Sequence, residues 1–537
     1  MKADLVIKNG LVYIADGQGS TAEAVVVCGN RIAYVGDEAG AAEWIGSETR
    51  VVDMNGGMVL PGFIDSHQHA AFKVTGMFTL ELHECADDHA YVEAIREYCG
   101  AHPELDAIVG AGWDRPHFEE VPLHKSTLDA ICPDRPVVMA DAGFHVHWMN
   151  SRALEMMGID ADFKAPEGVT VEKDENGEPT GVVAEFLEVY EHFQKFTPEQ
   201  YKAAILSYQE ESHQYGITAT FEDTVYDFDA MVEAYRQLEA EGALKYRASG
   251  YMRVNKDDDI EAAVTKLKSL RDAFRTGLFR MDGGKIFIDG VLEGETAYME
   301  EAYDNNPENH GEYQWEGATE KLYELCRMLE ADDLNYHFHT IGDKAVAVAL
   351  DAIEYAKKDA ENTVTRPGIT HLQVVREQDF PRFKELGVSA VIQAFWAGYS
   401  EYYDQAVEFI GRERAERQYP FGSLFRNGAL VASGSDYPVQ TDRPLLAIQM
   451  GITRAVPGDE MIMPKESEKV TLEDMLQSYT RNGAIANYLE DEVGTLEAGK
   501  KADMVILEKN LFEISPYEIA EVKEMMTIFD GQIVYER

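Results

Sequence analysis

The chain has 537 residues, more than a single compact core usually holds, so we expect a large scaffold with additional segments. Its 97 acidic and 48 basic residues give a formal net charge of −49, which argues against nucleic acid and anionic membranes as partners because both are themselves negative. Hydrophobic residues (45%) and charged residues (27%) occur at ordinary globular frequencies, so the composition indicates neither a disordered nor a fibrous chain.

The N-terminal segment predicts a cytoplasmic protein. Its first five residues alternate polar and apolar side chains like a strand, and they lack the basic start and long apolar stretch of a secretory signal. No apolar run approaches the ~20 residues that a membrane span needs. The five cysteines are scattered without a C-x-x-C pair, as expected of reduced core residues.

The first sixty residues predict short strands separated by turns such as Asn9-Gly10 and Gly29-Asn30. The same pattern returns at the far end of the chain, where Asp530-Gly531 forms a hairpin signal between two strand-like runs. We therefore predict a small antiparallel domain of β-sandwich type, built from residues 1–57 together with residues 490–537.

Residues 58–489 predict an α/β protein with a distorted (β/α)8 TIM-type barrel. Apolar strand-like runs there alternate with helical stretches, the signal for a parallel sheet. Eight such runs are found, at residues 58–65, 217–222, 246–254, 284–289, 335–339, 368–374, 388–394 and 429–434. An active site is expected at the C-terminal ends of the strands. Residues 72–198 are too many for a βα loop, and we predict an inserted subdomain that covers the barrel mouth.

The sharpest local motif is His67-Gln68-His69, at the end of the first apolar run. Residues two apart on a strand point to the same face, so both imidazoles can reach one metal ion. An H-x-H triplet is common by chance, and the strand context is what favours a metal role.

Further ligand-type residues occur at the ends of the other predicted strands: Lys285, His337, His339, His371 and Asp436. Taken singly, a histidine at a strand end is more often a structural residue, a lysine there more often extends to the rim, and Asp436 before Tyr437-Pro438 could be a turn residue. A barrel would gather all of them at one place. That convergence favours a metal site.

The order of these residues resembles the amidohydrolase superfamily: Pro61-Gly-Phe-Ile-Asp-Ser-His-Gln-His69, a lysine on strand four, single histidines on strands five and six, and an aspartate on strand eight. More narrowly it is similar to the amidohydrolase-3 group, which includes N-substituted formamide deformylase. Similar segments extend over nearly the whole chain, from Gly112-Trp113-Asp114 to Gly494–Asp503. One departure is Glu293-Gly294-Glu295, where the family pattern usually has Gly-Ser-Arg, which puts recognition of a substrate carboxylate there in doubt.

The resemblance implies a hydrolase that cleaves a non-peptide C–N bond of a small molecule with a metal-activated hydroxide. It implies one or two divalent ions, with zinc expected first and manganese or iron as alternatives. The implied ligands are His67 and His69 for a first metal, His339 and His371 for a second, Lys285 carboxylated by carbon dioxide as a bridge, and Asp436 as a ligand and proton shuttle.

Other side chains are predicted around these ligands. His145 is expected to bind or polarise the substrate as a catalytic residue. Possible second-layer or substrate contacts are Trp113, Glu185, His337 and Gln393. His337 belongs to a second H-x-H with His339, but the match to the family selects His339 as the ligand and favours a supporting role for His337.

Two other functions are considered. A one-metal deaminase on the same fold would keep the H-x-H motif, the two histidines and the aspartate, yet it would not need Lys285 as a ligand. A non-catalytic scaffold barrel would have lost ligand positions, whereas none is missing here. The expected partner is a small-molecule substrate, without nucleic acid or membrane, and a homo-oligomer is left open.

Overall fold

The computed structural model describes residues 2–141, 146–166, 169–184, 186, 188–193, 195–222, 228–358, 364–459 and 461–537. The chain divides into two compact units. The first unit comprises Met1–Ala70, Leu206–Thr224 and Tyr235–Arg537, and the second comprises Ala71–Ile205 and Val225–Ala234.

Strands in the described ranges are numbered in chain order: β1 Leu5–Tyr13, β2 Thr21–Cys28, β3 Arg31–Gly36, β4 Arg50–Asp53, β5 Met58–Pro61, β6 Phe63–Gln68, β7 Leu80–Glu81, β8 Ile108–Trp113, β9 Val137–Asp141, β10 Val146–Met149, β11 Thr170–Lys173, β12 Pro179–Ala184, β13 Ile217–Glu222, β14 Arg247–Arg253, β15 Phe279–Phe287, β16 Asn335–Thr340, β17 Gly368–His371, β18 Ser389–Ile392, β19 Leu430–Ser433, β20 Met504–Leu507, β21 Glu524–Phe529 and β22 Gln532–Glu536.

Helices are numbered in the same way: α1 Glu38–Ala42, α2 Lys73–Phe78, α3 Asp88–Ala101, α4 Lys125–Asp129, α5 Ser151–Met157, α6 Glu188–Phe193, α7 Pro198–Gln214, α8 Phe228–Ala240, α9 Ile260–Ala273, α10 Thr319–Ala331, α11 Asp343–Lys357, α12 Phe380–Leu386, α13 Glu401–Ala415, α14 Phe421–Arg426, α15 Pro444–Thr453, α16 Leu472–Ser478 and α17 Arg481–Ala486. None of the described helices combines the length and apolar composition needed to cross a bilayer. The cytoplasmic location stays a prediction.

Eight parallel strands form the barrel of the first unit, in the order β6, β13, β14, β15, β16, β17, β18, β19. The barrel is nearly closed, because β6 and β19 are connected just beyond their ends by two backbone hydrogen bonds. The Asp436 N–H donates to the His67 carbonyl (2.8 Å), and the His69 N–H donates to the Tyr437 carbonyl (2.7 Å). The predicted TIM-type barrel is confirmed. Most strand residues are fully buried, as expected of parallel strands covered by helices.

The first barrel strand begins later than the sequence predicts. Met58–Pro61 (β5) pairs with β1 and β20 in a different sheet, and the barrel strand β6 starts at Phe63. The chain changes sheets at Gly62, where a Cβ atom would lie 2.2 Å from Thr218 Oγ1. Only glycine allows this close approach, so one apolar run supplies two strands.

The strands from the two ends of the chain form one sheet, in the order β22, β21, β20, β5, β1, β2, β3 with β4 on β1. The predicted all-antiparallel pairing is wrong, because β1 pairs in parallel with both β4 and β5. Between β3 and β4 the chain passes through α1, and β4 then runs in the same direction as β1. A hairpin turn would have reversed the direction instead. The division into a separate β-sandwich domain stays a prediction.

The second unit contains a six-stranded sheet in the order β11, β12, β10, β9, β8, β7. Asn176 and Gly177 lie in the turn that connects the antiparallel strands β11 and β12. Strands β7, β8 and β9 run in parallel. Trp113 and Trp148 lie in an apolar core beside α3 and α4, and both are almost fully buried.

Candidate metal centre

The predicted ligands lie at the C-terminal ends of the barrel strands and are almost all buried. His67 ends β6, His69 follows it by two residues, and Asp436 follows β19. The others are on the strands between these two, namely Lys285 on β15, His339 on β16 and His371 on β17. Burial is complete for His67 and Lys285, and His69 is half-buried. The barrel topology thus places residues hundreds of positions apart at one end of the sheet.

The Asp436 carboxylate lies between the two histidines of the H-x-H motif. Its Oδ1 atom is 3.1 Å from His67 Nε2 and 3.1 Å from His69 Nε2. Donor atoms of His67, His371 and Asp436 all lie within 4.8 Å of one another, which is close enough for one metal ion to contact all three. The ligand atoms of these three residues therefore lie close together.

His371 connects the first group of side chains to His339. The ring centroid of His371 lies 5.1 Å from that of His67 and 4.6 Å from that of His339. Lys285 pairs in register with His337 on the neighbouring strand, and its Nζ atom lies 4.9 Å from the centre of the Phe287 ring. Lys285, His339 and His371 therefore lie on three neighbouring strands of the barrel, β15, β16 and β17.

The backbone is strained at two of these positions. His371 has a φ of 74° and Asp436 a φ of 61°, the left-handed region that side chains other than glycine rarely adopt. Each such residue costs on the order of 1 kcal/mol or more, and such strain is concentrated at functional sites. The fold therefore directs these two side chains inward at an energetic cost.

Burial keeps the imidazoles neutral. Removal from water lowers the pKa of His67 well below its usual value, and the positive charge of Lys285 lowers it further. Burial lowers the pKa of His371 as well, with the neighbouring His339 adding to the effect. A neutral imidazole keeps the lone pair that a metal ion requires. The site thus presents nitrogen donors ready to bind a cation.

Asp436 stays ionised in the same environment. Burial by itself would raise the pKa of its carboxyl, but the hydrogen bond from His69 and the positive charge of Lys285 act in the opposite direction, and the pKa is lowered. An anionic carboxylate among neutral imidazoles is a hard ligand and a proton acceptor.

Gln393 orients the His371 ring through a hydrogen bond to its Nδ1 atom. Its Oε1 atom lies 3.0 Å from His371 Nδ1, and its Nε2 donates to Thr370 Oγ1 at 3.2 Å. With the amide held in this orientation, His371 Nδ1–H donates to Gln393 and leaves Nε2 with its lone pair toward the centre. The sequence predicts Gln393 among the supporting residues, and the structure places it next to a predicted ligand.

Asp289 is a supporting residue that the sequence analysis missed. Its buried carboxylate accepts hydrogen bonds from the backbone N–H groups of Tyr298 (3.0 Å), Ile341 (3.0 Å) and Gly342 (2.8 Å). Its Oδ1 atom lies 3.3 Å from His339 Nδ1, an arrangement that orients the ring. Burial raises the pKa of Asp289 to about 7 despite these hydrogen bonds. Its position at the end of the apolar run that contains Lys285 is the signal that could have identified it.

Asp65 is a second residue that was missed. Its Oδ1 atom accepts hydrogen bonds from the N–H groups of Ser435 (3.0 Å) and His67 (3.2 Å), so it joins the first and last barrel strands beneath the ligands. Burial raises its pKa to about 7. Gly434 lies at the same junction, where a Cβ atom would be only 2.6 Å from His67 N. This close approach brings Asp436 to the H-x-H motif.

The remaining predicted residues have different surroundings. His337 is buried, and its ring stacks on His67 at 5.3 Å with the planes 10° apart. Trp113 lies in the core of the second unit, where its Nε1–H donates to the Met139 carbonyl at 2.7 Å, so its indole is occupied in packing rather than available to a substrate. His145 and Glu185 lie outside the described residues.

The donor set fits a divalent metal ion. Both ring nitrogens of His67 are buried, and neither makes a hydrogen bond with any described residue. Buried polar atoms without partners are costly, and a cation on Nε2 would satisfy the nitrogen that faces Asp436. Mixed imidazole and carboxylate donors are those that zinc and related transition metals prefer.

Three comparisons identify the family. A model of the amidohydrolase family matches residues 50–535. The putative amidohydrolase YtcJ of Bacillus subtilis (strain 168) is 29% identical, covering 98% of this chain and 98% of YtcJ. The N-substituted formamide deformylase of Arthrobacter pascens is 26% identical over 99% of this chain and 98% of its own. The structure of an uncharacterized metal-dependent hydrolase from Pyrococcus furiosus has a TM-score of 0.75 and 27% identity, over 94% of this chain and 99% of that one. The chain therefore belongs to the amidohydrolase family, and it is a metal-dependent hydrolase.

Proposed function

We propose that this enzyme hydrolyses a carbon–nitrogen bond, other than a peptide bond, in a small molecule. The supporting observation is the placement of Asp436 Oδ1 at 3.1 Å from both histidines of the H-x-H motif, inside a buried group of neutral imidazoles. The proposed metal ligands are His67, His69, Lys285, His339, His371 and Asp436.

The ligands divide into two groups by position. His67, His69 and Asp436 form the first, and His339 and His371 form the second, with 4.6 Å between the two ring centroids of the second group. Lys285 is buried on the strand next to β16. As a carbamate, formed when its neutral amine adds to carbon dioxide and releases one proton, it would supply two anionic oxygens. Its proposed role is to bridge the two groups.

A divalent ion bound here would act as a Lewis acid, polarising a carbonyl and lowering the pKa of a coordinated water toward ~7. Asp436 would accept the proton that the attacking water loses and donate it to the departing nitrogen. Its lowered pKa suits the first of these steps, since an ionised carboxylate is required. Gln393 and Asp289 hold His371 and His339 in orientation. Zinc is the first candidate metal, with manganese or iron as alternatives.

A one-metal deaminase is the second candidate, favoured by one observation. His67, His371 and Asp436 by themselves bring three donor atoms within 4.8 Å, enough for a single ion. The buried Lys285 favours two ions instead, because a deaminase would not use it as a ligand. The number of metal ions per chain separates the two functions, and so does the product, which is free ammonia for a deaminase.

N-acyl or N-formyl amines are the substrates to test first, since one relative is an N-substituted formamide deformylase. Purified protein is stripped with a chelator, reloaded separately with zinc, manganese or iron in the presence of bicarbonate, and assayed for release of amine. We expect activity only after reloading, and less metal uptake when bicarbonate is removed, because the carbamate would not form. Equal activity before and after stripping, at verified metal removal, would contradict the proposal.

A further inference from the structure

Glu222 is a buried carboxylate that the proposed reaction does not use. It ends β13, the barrel strand next to β6, and its register partner on β6 is Gln68, the residue between the two histidines of the H-x-H motif. Both side chains are completely buried. Because a carboxylate removed from water is costly unless hydrogen bonds compensate it, the donors around Glu222 indicate what it does there.

Two donors converge on one oxygen of Glu222. Its Oε2 atom accepts a hydrogen bond from the Tyr235 hydroxyl at 2.8 Å and another from Gln68 Nε2 at 3.3 Å. The single hydroxyl proton of Tyr235 is used in this bond, so Tyr246 donates in the 2.9 Å contact between the two tyrosine hydroxyls. Burial, together with the charge of Glu222, raises the pKa of Tyr235, which keeps its proton in place. A buried chain of hydrogen bonds therefore extends from Tyr246 to Gln68.

Both ends of the Gln68 amide are engaged. Its Nε2 donates to Glu222, and its Oε1 accepts a hydrogen bond from the backbone N–H of Ala70. A carboxylate at one end and an N–H donor at the other are compatible with only this orientation of the amide. Ala70 is completely buried and lies beyond the end of β6, where a backbone N–H needs an acceptor from outside the strand. The amide is therefore held between Glu222 and Ala70.

The hydrogen bond from Ala70 to Gln68 spans His69. Because β6 ends at Gln68, strand pairing does not continue to His69, and other contacts must direct its ring. The His69 N–H donates to the Tyr437 carbonyl at 2.7 Å, and the Gln68 amide connects the residues on either side. The ring directed in this way places Nε2 at 3.1 Å from Asp436 Oδ1.

The chain of hydrogen bonds approaches the motif from the outer face of the barrel. Adjacent residues of a strand face opposite sides of the sheet. On β13, the Phe221 ring lies 6.1 Å from the ring of His67, whereas Glu222 meets Tyr235 on the surrounding helix α8. On β6, Gln68 likewise faces away from the side of His67. The inner face is therefore left to the metal and the substrate.

We propose that Glu222 is a positioning residue, which acts through Gln68 to hold His69 in place as a ligand of the first metal ion. The inference rests on the proposed function, because it takes His67 and His69 as ligands of that ion. Glu222 itself touches neither the metal nor the substrate. Loss of a residue that orients a metal ligand lowers metal affinity by about 10- to 100-fold.

Zinc binding to the full-length chain tests the proposal without a substrate. Protein stripped of metal is titrated with zinc in competition with a chromophoric chelator. We expect Glu222→Met and Gln68→Met each to weaken, by about 10- to 100-fold, the binding step that His69→Asn also weakens. The double variant of Glu222 and Gln68 should lose no more affinity than either single variant, because both act through one hydrogen bond. Glu222→Gln keeps an acceptor and should restore most of the affinity.

Glu330→Met is the matched control. Glu330 is another buried carboxylate that accepts a hydrogen bond from a tyrosine, at 2.8 Å from the Tyr336 hydroxyl. Glu330→Met should lower the urea midpoint of unfolding, as Glu222→Met does, but bind zinc as tightly as the wild type. A second comparison adds Glu222→Met to His69→Asn. No further loss of affinity is expected there, because the ligand that Glu222 positions is already gone.

The outcomes separate this inference from the proposed reaction. If Glu222→Met binds zinc as tightly as the wild type, or weakens binding by the same factor with and without His69→Asn, the positioning role is overturned whatever the rate of hydrolysis. A wild type that binds no zinc overturns it as well. If zinc binding depends on Glu222 through His69 but no N-acyl or N-formyl amine is hydrolysed, the positioning role stands and the proposed reaction falls. Should Glu222→Met fail to fold, Tyr235→Phe, which removes one donor to Glu222, is judged by the same criteria.

Discussion

Replacing Gly434 with alanine should displace the H-x-H motif from Asp436. A Cβ atom at this position would lie 2.6 Å from His67 N, 2.7 Å from His67 Cβ and 2.9 Å from His67 O. Ordinary contact begins at 3.4 Å, so the two segments must separate by about 0.8 Å. The backbone of Gly434 is not in the left-handed region, and the effect of alanine is therefore purely steric.

The size of the effect follows from where the displacement occurs. The affected atoms belong to His67 itself, and a shift of about 1 Å in a catalytic group costs on the order of 100-fold in rate. Overpacking of this kind also lowers the free energy of unfolding by about 1–3 kcal/mol. We expect Gly434→Ala to lose about 100-fold in kcat/KM and to bind its metal more weakly, while the chain still folds.

Gly284→Ala is the matched control. Gly284 precedes Lys285 on β15. The atom nearest to a Cβ placed there would be Leu267 Cδ1, at 3.5 Å, which is an ordinary contact. That variant should keep its metal and its activity. Both variants are measured by kcat/KM at saturating metal, by metal affinity in chelator competition, and by urea unfolding. Wild-type metal affinity and activity in Gly434→Ala would refute the claim that this close approach positions the centre.

Three further substitutions test separate parts of the account. Asp436→Asn should lower kcat by about 100-fold to 10,000-fold with little change in melting temperature, because the proton acceptor is lost; unchanged kcat would reject its role. Gln393→Leu should weaken metal binding about 10- to 100-fold in chelator competition by freeing His371, and Gln393→Glu should restore part of it; equal affinity in the leucine variant would count against this support. Arg247→Met should reduce the free energy of unfolding by about 3–5 kcal/mol, because it leaves the buried Asp503 without the partner now 2.9 Å away, and adding Asp503→Leu should recover most of the loss; equal stability of the single and double variants would contradict this reading.

The positions of the barrel strands could be predicted because each is a short apolar run between helical stretches. The predicted run at residues 335–339 is β16, Asn335–Thr340, and the run at residues 217–222 is β13, Ile217–Glu222. Predicting the strand ends also predicted where ligand-type residues meet, since a parallel barrel brings all C-terminal ends together. His67 and Asp436 therefore could be placed side by side from a sequence in which they are far apart.

Asp65 could not be recognised from the sequence, and the role of Asp289 could not be assigned from its strand-end position alone, because both carboxylates bind mainly backbone groups. Each carboxylate accepts hydrogen bonds from N–H groups of other segments, and no spacing in the sequence records which N–H groups those are. The change of sheets at Gly62 was hidden for a similar reason, since it depends on contact with Thr218 on a distant strand. Trp113 shows why its predicted substrate contact stays a prediction, because an aromatic residue in a motif is as readily a core residue as a substrate contact.

The central claim is that six side chains at the ends of five barrel strands hold divalent metal, and elemental analysis of the purified chain tests it most directly. The account predicts one or two equivalents of zinc, manganese or iron per chain, reduced to well below one equivalent when His67 and His69 are both replaced by asparagine. Metal content that is the same in wild type and in this double variant, or a wild type that takes up none of the three metals, would contradict it.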